Sequence, residues 1–251
     1  MKVYFVGAGP GDPELITVKG MKLLQEAPVI IYAGSLVNKE LLNYAKKDTA
    51  IYNSATLTLE EVVDIIKDAV ANNLWVVRLH TGDPALFGAI QEQMELLDKE
   101  GIEYQVVPGV SSFLAAAAAI KSELTIPEVS QTVIITRLAG RTPVPETQQL
   151  ASLAKHQASL CIFLSIQMME EVVKELQTYY PATTPVAIIE KASWPEERIM
   201  TGTLETISQQ VASAGIQKTA MILVGQFLNA KNYRSLLYHP EFTHEYREAS
   251  Q

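Results

Sequence analysis

Cysteine is nearly absent from this chain, which has 251 residues and a single thiol, Cys161. One thiol excludes an internal disulfide framework. Its place in the apolar run 159–165 marks it as a buried structural group rather than a nucleophile. Long hydrophobic runs are missing too. No stretch approaches the ~18 apolar residues of a membrane span, and Gly7, Gly9, Pro10 and Gly11 cut the first apolar run too short for a secretory signal. The chain is therefore expected to be soluble and cytoplasmic, with no membrane partner. Positive charge is in deficit, with 20 Lys and Arg against 28 Asp and Glu and a formal net charge of −8. The clustered cations that grip a phosphate backbone are lacking, so no nucleic-acid partner is expected. His239 and His244, with Glu241 and Glu245, sit in a polar tail and read as a solvated segment, so no metal site is expected.

Apolar residues are plentiful, at 48% against 19% charged, enough to build the cores of two packed α/β domains. Short β-rich runs at 2–6, 29–32, 50–52, 74–79 and 104–107 alternate with helical spacings at 14–26, 59–72 and 115–120. This alternation predicts a largely parallel sheet with right-handed crossovers. Residues 122–130 hold Pro127 and little periodicity, so the domain boundary is placed there, giving domains 1–121 and 122–251. In the second, strands are expected at 132–136, 160–164, 185–190, 198–203 and 219–224, with helices near 146–155, 168–178 and 204–213.

The centre of the pattern is residues 74–88, LWVVRLHTGDPALFG. A strand stops at Thr81-Gly82-Asp83-Pro84, and Leu86, Ile90, Met94 and Leu97 then recur at helical spacing. Asp83 suits the cap of a helix beginning at Ala85, and Pro84 suits its first position. The phrase Gly-Asp-Pro also occurs at Gly11-Asp12-Pro13, after the first strand. Two like-built turns on one sheet suggest a cleft with two lips, outside the carboxyl ends of the strands. Both pairs also serve simply as helix starts.

Gly7-Ala8-Gly9 does not complete a dinucleotide fingerprint. The third glycine comes one residue early, Pro10 removes an N–H, and Asp12 places negative charge where a phosphate would sit. Tyr32 leads into Ala33, Gly34 and Ser35, with no acid to hold a ribose, and no P-loop occurs. A cofactor without phosphates fits better, such as S-adenosylmethionine, a sulfonium held by main-chain atoms.

The run Val6-Gly7-Ala8-Gly9-Pro10-Gly11-Asp12-Pro13-Glu14-Leu15, followed by Thr17 to Gly20, resembles the opening motif of the tetrapyrrole methylases. Arg78 to Pro84 matches the second motif of that family, and Val107-Pro108-Gly109-Val110-Ser111-Ser112 the third. Within the family, residues 32–37, Thr136-Arg137, 140–146 and 192–196 resemble the precorrin-4 carbon-11 methyltransferases. The resemblance covers roughly residues 1–228. It implies an S-adenosylmethionine-dependent C-methyltransferase of cobalamin synthesis, with two α/β domains of mostly parallel sheets, a ligand cleft between them, and a homodimer. Its substrate would be precorrin-4 or the cobalt form. Carried over by motif, the cofactor contacts are Pro10, Thr81, Gly82, Asp83, Leu86, Ser111, Ser112, Leu164, Ala192 and Ala220. Uroporphyrinogen methylases of the family carry Asp after the second-strand Tyr; here that position is Ala33, which favours the carbon-11 assignment.

A reduced tetrapyrrole carbon is already electron-rich, so no catalytic triad is expected and none is found. The substrate's carboxylate arms call for local cations, with Arg137 and Arg141 first, then Lys191 and Arg198. Each of these also reads as an ordinary surface charge. His80 reads as a residue that shapes the loop, or as a proton carrier; Trp194-Pro195 either stacks on the substrate or packs between domains. Two other functions stay open at this level: a related methylase acting on another precorrin position, RNA or protein, and a non-catalytic nucleotide-binding module.

Overall fold

The computed structural model describes residues 2–230, 235 and 240–248. The chain divides into two compact units: Met1–Ala115 with Lys191–Glu197, and Ala116–Glu190 with Arg198–Gln251.

The first unit contains β1 (Lys2–Gly7), α1 (Val18–Glu26), β2 (Val29–Tyr32), β3 (Ala50–Asn53), α2 (Leu59–Ala71), β4 (Val76–His80), α3 (Gln91–Lys99) and β5 (Glu103–Val107). α4 (Ser112–Ala119) follows, and the dividing line falls within it. The sheet order is β3-β2-β4-β1-β5, with every pair parallel. Helices cover both faces: Leu24 of α1 packs with Val6, Ile30 and Leu79 on one, and Ile66 of α2 and Leu97 of α3 pack with Phe5, Ile31 and Val76 on the other. Burial on both faces is why the inner strands β2 and β4 are filled in along their whole length rather than alternating. β1 leads through α1 toward β2 on one side of the sheet, whereas β4 leads through α3 toward β5 on the other. Their adjacent carboxyl ends therefore form the topological switch point, where an open α/β sheet leaves a crevice for a ligand.

The second unit holds β6 (Val133–Arg137), α5 (Leu150–Ala154), β7 (Ser159–Phe163), α6 (Met169–Leu176), β8 (Pro185–Glu190), β9 (Arg198–Thr203), α7 (Ile207–Ala214) and β10 (Ala220–Val224). Its order is β6-β7-β10-β8-β9. Parallel pairing is confined to β6–β7; β7–β10, β10–β8 and β8–β9 are antiparallel. The expectation of mostly parallel sheets thus holds for the first unit and not for the second. The short segment joining β8 to β9 explains part of this, because a parallel return needs a crossover of a dozen or more residues.

Two helices also differ from the periodicity. The run 14–26 splits into a short 3-10 turn at Pro13–Leu15 and α1, with Asp12 accepting from the Glu14 N–H and Thr17 from that of Gly20. The helix expected from Ala85 begins only at Gln91. Phe87 and Ala89 have positive φ, a left-handed backbone that no helix contains. Among the described residues no helix is long and apolar enough to cross a membrane.

Cys161 lies in β7 with no exposed surface, and burial pushes its thiol up to about 12. The folded protein should leave a disulfide reagent unreacted at pH 8, and one thiol should appear on adding denaturant; rapid labelling of the native protein would contradict this placement.

Candidate functional site

Three turns meet at the carboxyl ends of β1, β4 and β5. β1 and β4 continue pairing past their ends: the Ala8 N–H donates to the His80 carbonyl at 2.7 Å, and that of Gly82 to the Gly9 carbonyl at 2.8 Å. A Cβ at Gly7 would lie 2.6 Å from Gly109 Cα and 2.6 Å from the Gly82 oxygen; one at Gly109 would lie 2.3 Å from that same oxygen. Backbone meets backbone here, so no side chain fits. The Asp83 carboxylate completes the junction, accepting from the Ala85 N–H at 2.8 Å and the Gly109 N–H at 2.9 Å. It ties the β4 turn to the β5 turn rather than capping a long helix. Gly82 has φ +60°, and a notional Cβ there would be in ordinary van der Waals contact with the backbone of Ser111, Ser112 and Val110, at 3.7, 3.8 and 4.0 Å. Thr81, Gly82, Asp83, Ser111 and Ser112 are therefore brought together. Thr81 reaches the β2 turn as well, donating its hydroxyl to Leu36 at 3.0 Å.

The glycine loop after β1 is held from several sides. The Trp194 indole N–H donates to the Pro10 carbonyl at 3.0 Å, Asn38 to the Gly11 carbonyl at 2.8 Å, and the Asp12 N–H donates to the Ser193 hydroxyl at 3.0 Å. A Cβ on Gly11 would fall 2.1 Å from the indole ring. The amides of Ala8, Gly9 and Asp12 are thus committed inside the protein, and Pro10 has none. An anion nest needs successive free N–H groups. A pyrophosphate has no seat in this loop, while a phosphate-free cofactor such as S-adenosylmethionine needs none.

The family model of the tetrapyrrole (corrin/porphyrin) methylases matches residues 2–208. The chain belongs to this family. A cobalt-precorrin-4 C(11)-methyltransferase of Methanocaldococcus jannaschii is 57% identical over 250 residues, covering 99% of this chain and 96% of the relative. The crystal structure of a cobalt-precorrin-4 methyltransferase superposes with a TM-score of 0.89 at 48% identity, over 91% of this chain and 96% of that one. A uroporphyrin-III C-methyltransferase from Thermus thermophilus, solved with S-adenosylhomocysteine, gives 0.76 at 29% identity, over 91% of this chain and 93% of that one.

In this methylase the other expected site residues fall in different settings. Ala192 is buried and belongs to the first unit, between Lys191 and Ser193, both at positive φ. Leu164 and Ala220 belong to the second. Leu164 follows β7 with φ 55° and is 66% exposed, a costly pairing of strained backbone and uncovered apolar side chain. The cations divide sharply. Arg137 spends its guanidinium on the carbonyls of Leu138, Thr142 and Pro143, at 3.3, 3.1 and 2.8 Å, and so holds its own loop. Arg198 pairs with Glu190 at 2.5 Å, and Lys191 lies 3.8 Å from Glu196. Arg141 is exposed and has no protein partner among the described residues. His239 lies outside the described residues, and among those described no group of metal-ligating side chains occurs.

His80 is 3% exposed, beside the Phe5 ring, with Nε2 unpartnered among the described residues. Burial first, then the charge of Arg78, pushes it down to about 3, so it is neutral at physiological pH and shapes the site rather than carrying a proton. Sequence reasoning missed Asn38, Ser193 and Gln93, each of which has a bond to a partner distant in the chain, at Gly11, Asp12 and Arg78.

Two outcomes follow from this geometry. Gly109→Ala should destabilise the protein by about 3 kcal/mol, because its methyl meets fixed backbone; an unchanged thermal midpoint would show that the turns can part. Because His80 must bind its proton after unfolding but not before, its contribution is complete above pH 6.5 and is lost as pH falls toward 3. Denaturant midpoints should show about 2 kcal/mol lost on this account between pH 7 and pH 5, and His80→Gln should remove that part of the slope.

Proposed function

We propose that this methylase transfers the methyl group of S-adenosylmethionine to carbon 11 of cobalt-precorrin-4, giving cobalt-precorrin-5 in cobalamin biosynthesis. One observation carries the cofactor assignment: the glycine loop after β1 has committed the amides of Ala8, Gly9 and Asp12 inside the protein and Pro10 has none, so no row of free N–H groups is left for a pyrophosphate. The relative at 57% identity supports the substrate, as does Ala33, which stands where uroporphyrinogen methylases carry an acid. Pro10, Thr81, Gly82, Asp83, Leu86, Ser111, Ser112 and Ala192 are the proposed cofactor contacts on the first unit, with Leu164 and Ala220 on the second. The assignment includes a homodimer in the cytoplasm with no nucleic-acid or membrane partner, in keeping with the family resemblance and the charge of −8.

Bound S-adenosylmethionine supplies an activated methyl on a sulfonium. The protein's part is orientation. Asp83 locks two turns at fixed separation, and Trp194 with Ser193 locks a third. Pre-arranged geometry of this kind contributes up to about 7–11 kcal/mol in favourable cases, with no acid–base side chain required. Arg141, without a partner among the described residues, is the proposed anchor for a substrate carboxylate, whereas Arg137 is retained by its own loop.

Titration calorimetry with S-adenosylhomocysteine and with NAD tests the cofactor: only the former should bind, and preferential binding of NAD would end this assignment. Incubation with donor and either cobalt-loaded or metal-free precorrin-4, followed by mass spectrometry, should show a single methyl gained, faster on the cobalt form. Arg141→Ala should raise the tetrapyrrole KM about tenfold, the loss expected for one charge-assisted bond, and leave S-adenosylhomocysteine affinity intact. An unchanged KM would remove Arg141 from the substrate site.

A further inference from the structure

The sheet face that packs on α2 and α3 is apolar until its carboxyl end, where Arg78, His80 and Gln93 are all buried. Arg78 is 6% exposed, and burial lowers its guanidinium only to about 10, so it is charged at neutral pH. Its partners are neutral: Nε donates to Gln93 Oε1 at 3.1 Å and Nη1 to the Ile31 carbonyl at 3.2 Å. A buried cation would ordinarily be matched by a carboxylate. A glutamine offers something a carboxylate lacks, a second face that donates. Gln93 uses it, giving its Nε2 hydrogen to the Ala89 carbonyl at 2.8 Å.

Ala89 ends a segment that does not support itself. Phe87 and Ala89 are left-handed at φ 55° and 49°, and a Cβ on Gly88 would lie 2.2 Å from the Pro84 oxygen. Left-handed non-glycine residues persist only where their surroundings impose them. At its start the segment is fastened by Asp83, whose carboxylate holds Ala85 and Gly109. At its end it is fastened by the Gln93 amide. Leu86 lies between the two fastenings.

We propose that Gln93 is a positioning residue for the cofactor: its side-chain amide, aligned by the buried Arg78, holds residues 84–89 so that Leu86 meets the ligand. This rests on the assignment of the Asp83–Leu86 turn to S-adenosylmethionine. The alternative is that Gln93 serves only to satisfy a buried cation. Gln93→Glu separates the two, because a carboxylate still accepts from Arg78, and more strongly, but cannot donate to the Ala89 carbonyl.

The experiment is a double-mutant cycle read by S-adenosylhomocysteine titration, with thermal midpoints measured alongside. Gln93→Glu should weaken binding about tenfold, the loss of one buried amide donor, with a midpoint no lower than that of the unaltered protein. Leu86→Ala should weaken binding too, and the double variant should lose no more than the larger single loss, since Gln93 acts through Leu86. Wild-type affinity in Gln93→Glu, or losses that simply multiply in the double variant, would overturn the proposal. If Gln93→Glu does not fold, Gln93→Met takes its place in the cycle and is judged on binding alone, because it also removes the acceptor of buried Arg78 and its midpoint should fall: wild-type affinity, or losses that multiply with Leu86→Ala, would overturn the proposal. Failure of the unaltered protein to bind S-adenosylhomocysteine would instead remove the cofactor assignment itself, a result read before any variant is made.

Discussion

The structure of the first unit turns on the approach of three strand ends, at Gly7, Gly82 and Gly109, so close that neither Gly7 nor Gly109 has room for a methyl group. Main-chain carbonyls packed this closely repel one another unless donors are interleaved between them. The donors come from Ala8, Gly9 and Gly82 across the β1–β4 gap, and from Gly109 to the Asp83 carboxylate. Asp83 matters more than a helix cap would, because its two oxygens serve different strands' turns. A charged acceptor makes stronger bonds than a carbonyl does.

That same commitment of amides separates this loop from the glycine-rich turns that hold phosphates. Such turns present a row of free N–H groups to an anion. Here the row is folded back into the protein, and Pro10, Trp194 and Ser193 prevent its release. A loop so occupied offers shape and carbonyl edges rather than positive potential, which suits a cationic donor and disfavours a dinucleotide. The inference belongs to the hydrogen-bond accounting of the loop, not to its glycine content.

Buried polarity is concentrated at the same end of the sheet. Arg78 and Asn38 bridge elements that the chain separates widely, to Ile31 and Gly11, and Gln93 links Arg78 of β4 to the Ala89 carbonyl four residues before it. Such bonds are worth most where water is excluded, and cost most when one partner is lost. The apolar body of the sheet thus carries stability, while its carboxyl end carries geometry.

Most strands were legible in the sequence, and those buried on both faces most of all, because such a strand must be an uninterrupted apolar run whatever its partners; β2 and β8 lie where the pattern places them. The three motif turns were legible for a like reason, since glycine and proline act on the local backbone. Strand direction in the second sheet was not, because β10 between β7 and β8 is a matter of pairing, which side-chain pattern does not encode. The helix expected at Ala85 failed on left-handed residues that only tertiary contacts impose. Arg137 and Arg198 looked like free cations until the fold brought carbonyls and Glu190 to them. By itself the sequence determined the strand runs, the glycine turns and the family, all of them properties of local backbone and composition. Which amides, cations and amide side chains remain free for a ligand was decided by the tertiary structure alone, because a hydrogen bond is spent or available only once its distant partner is in place.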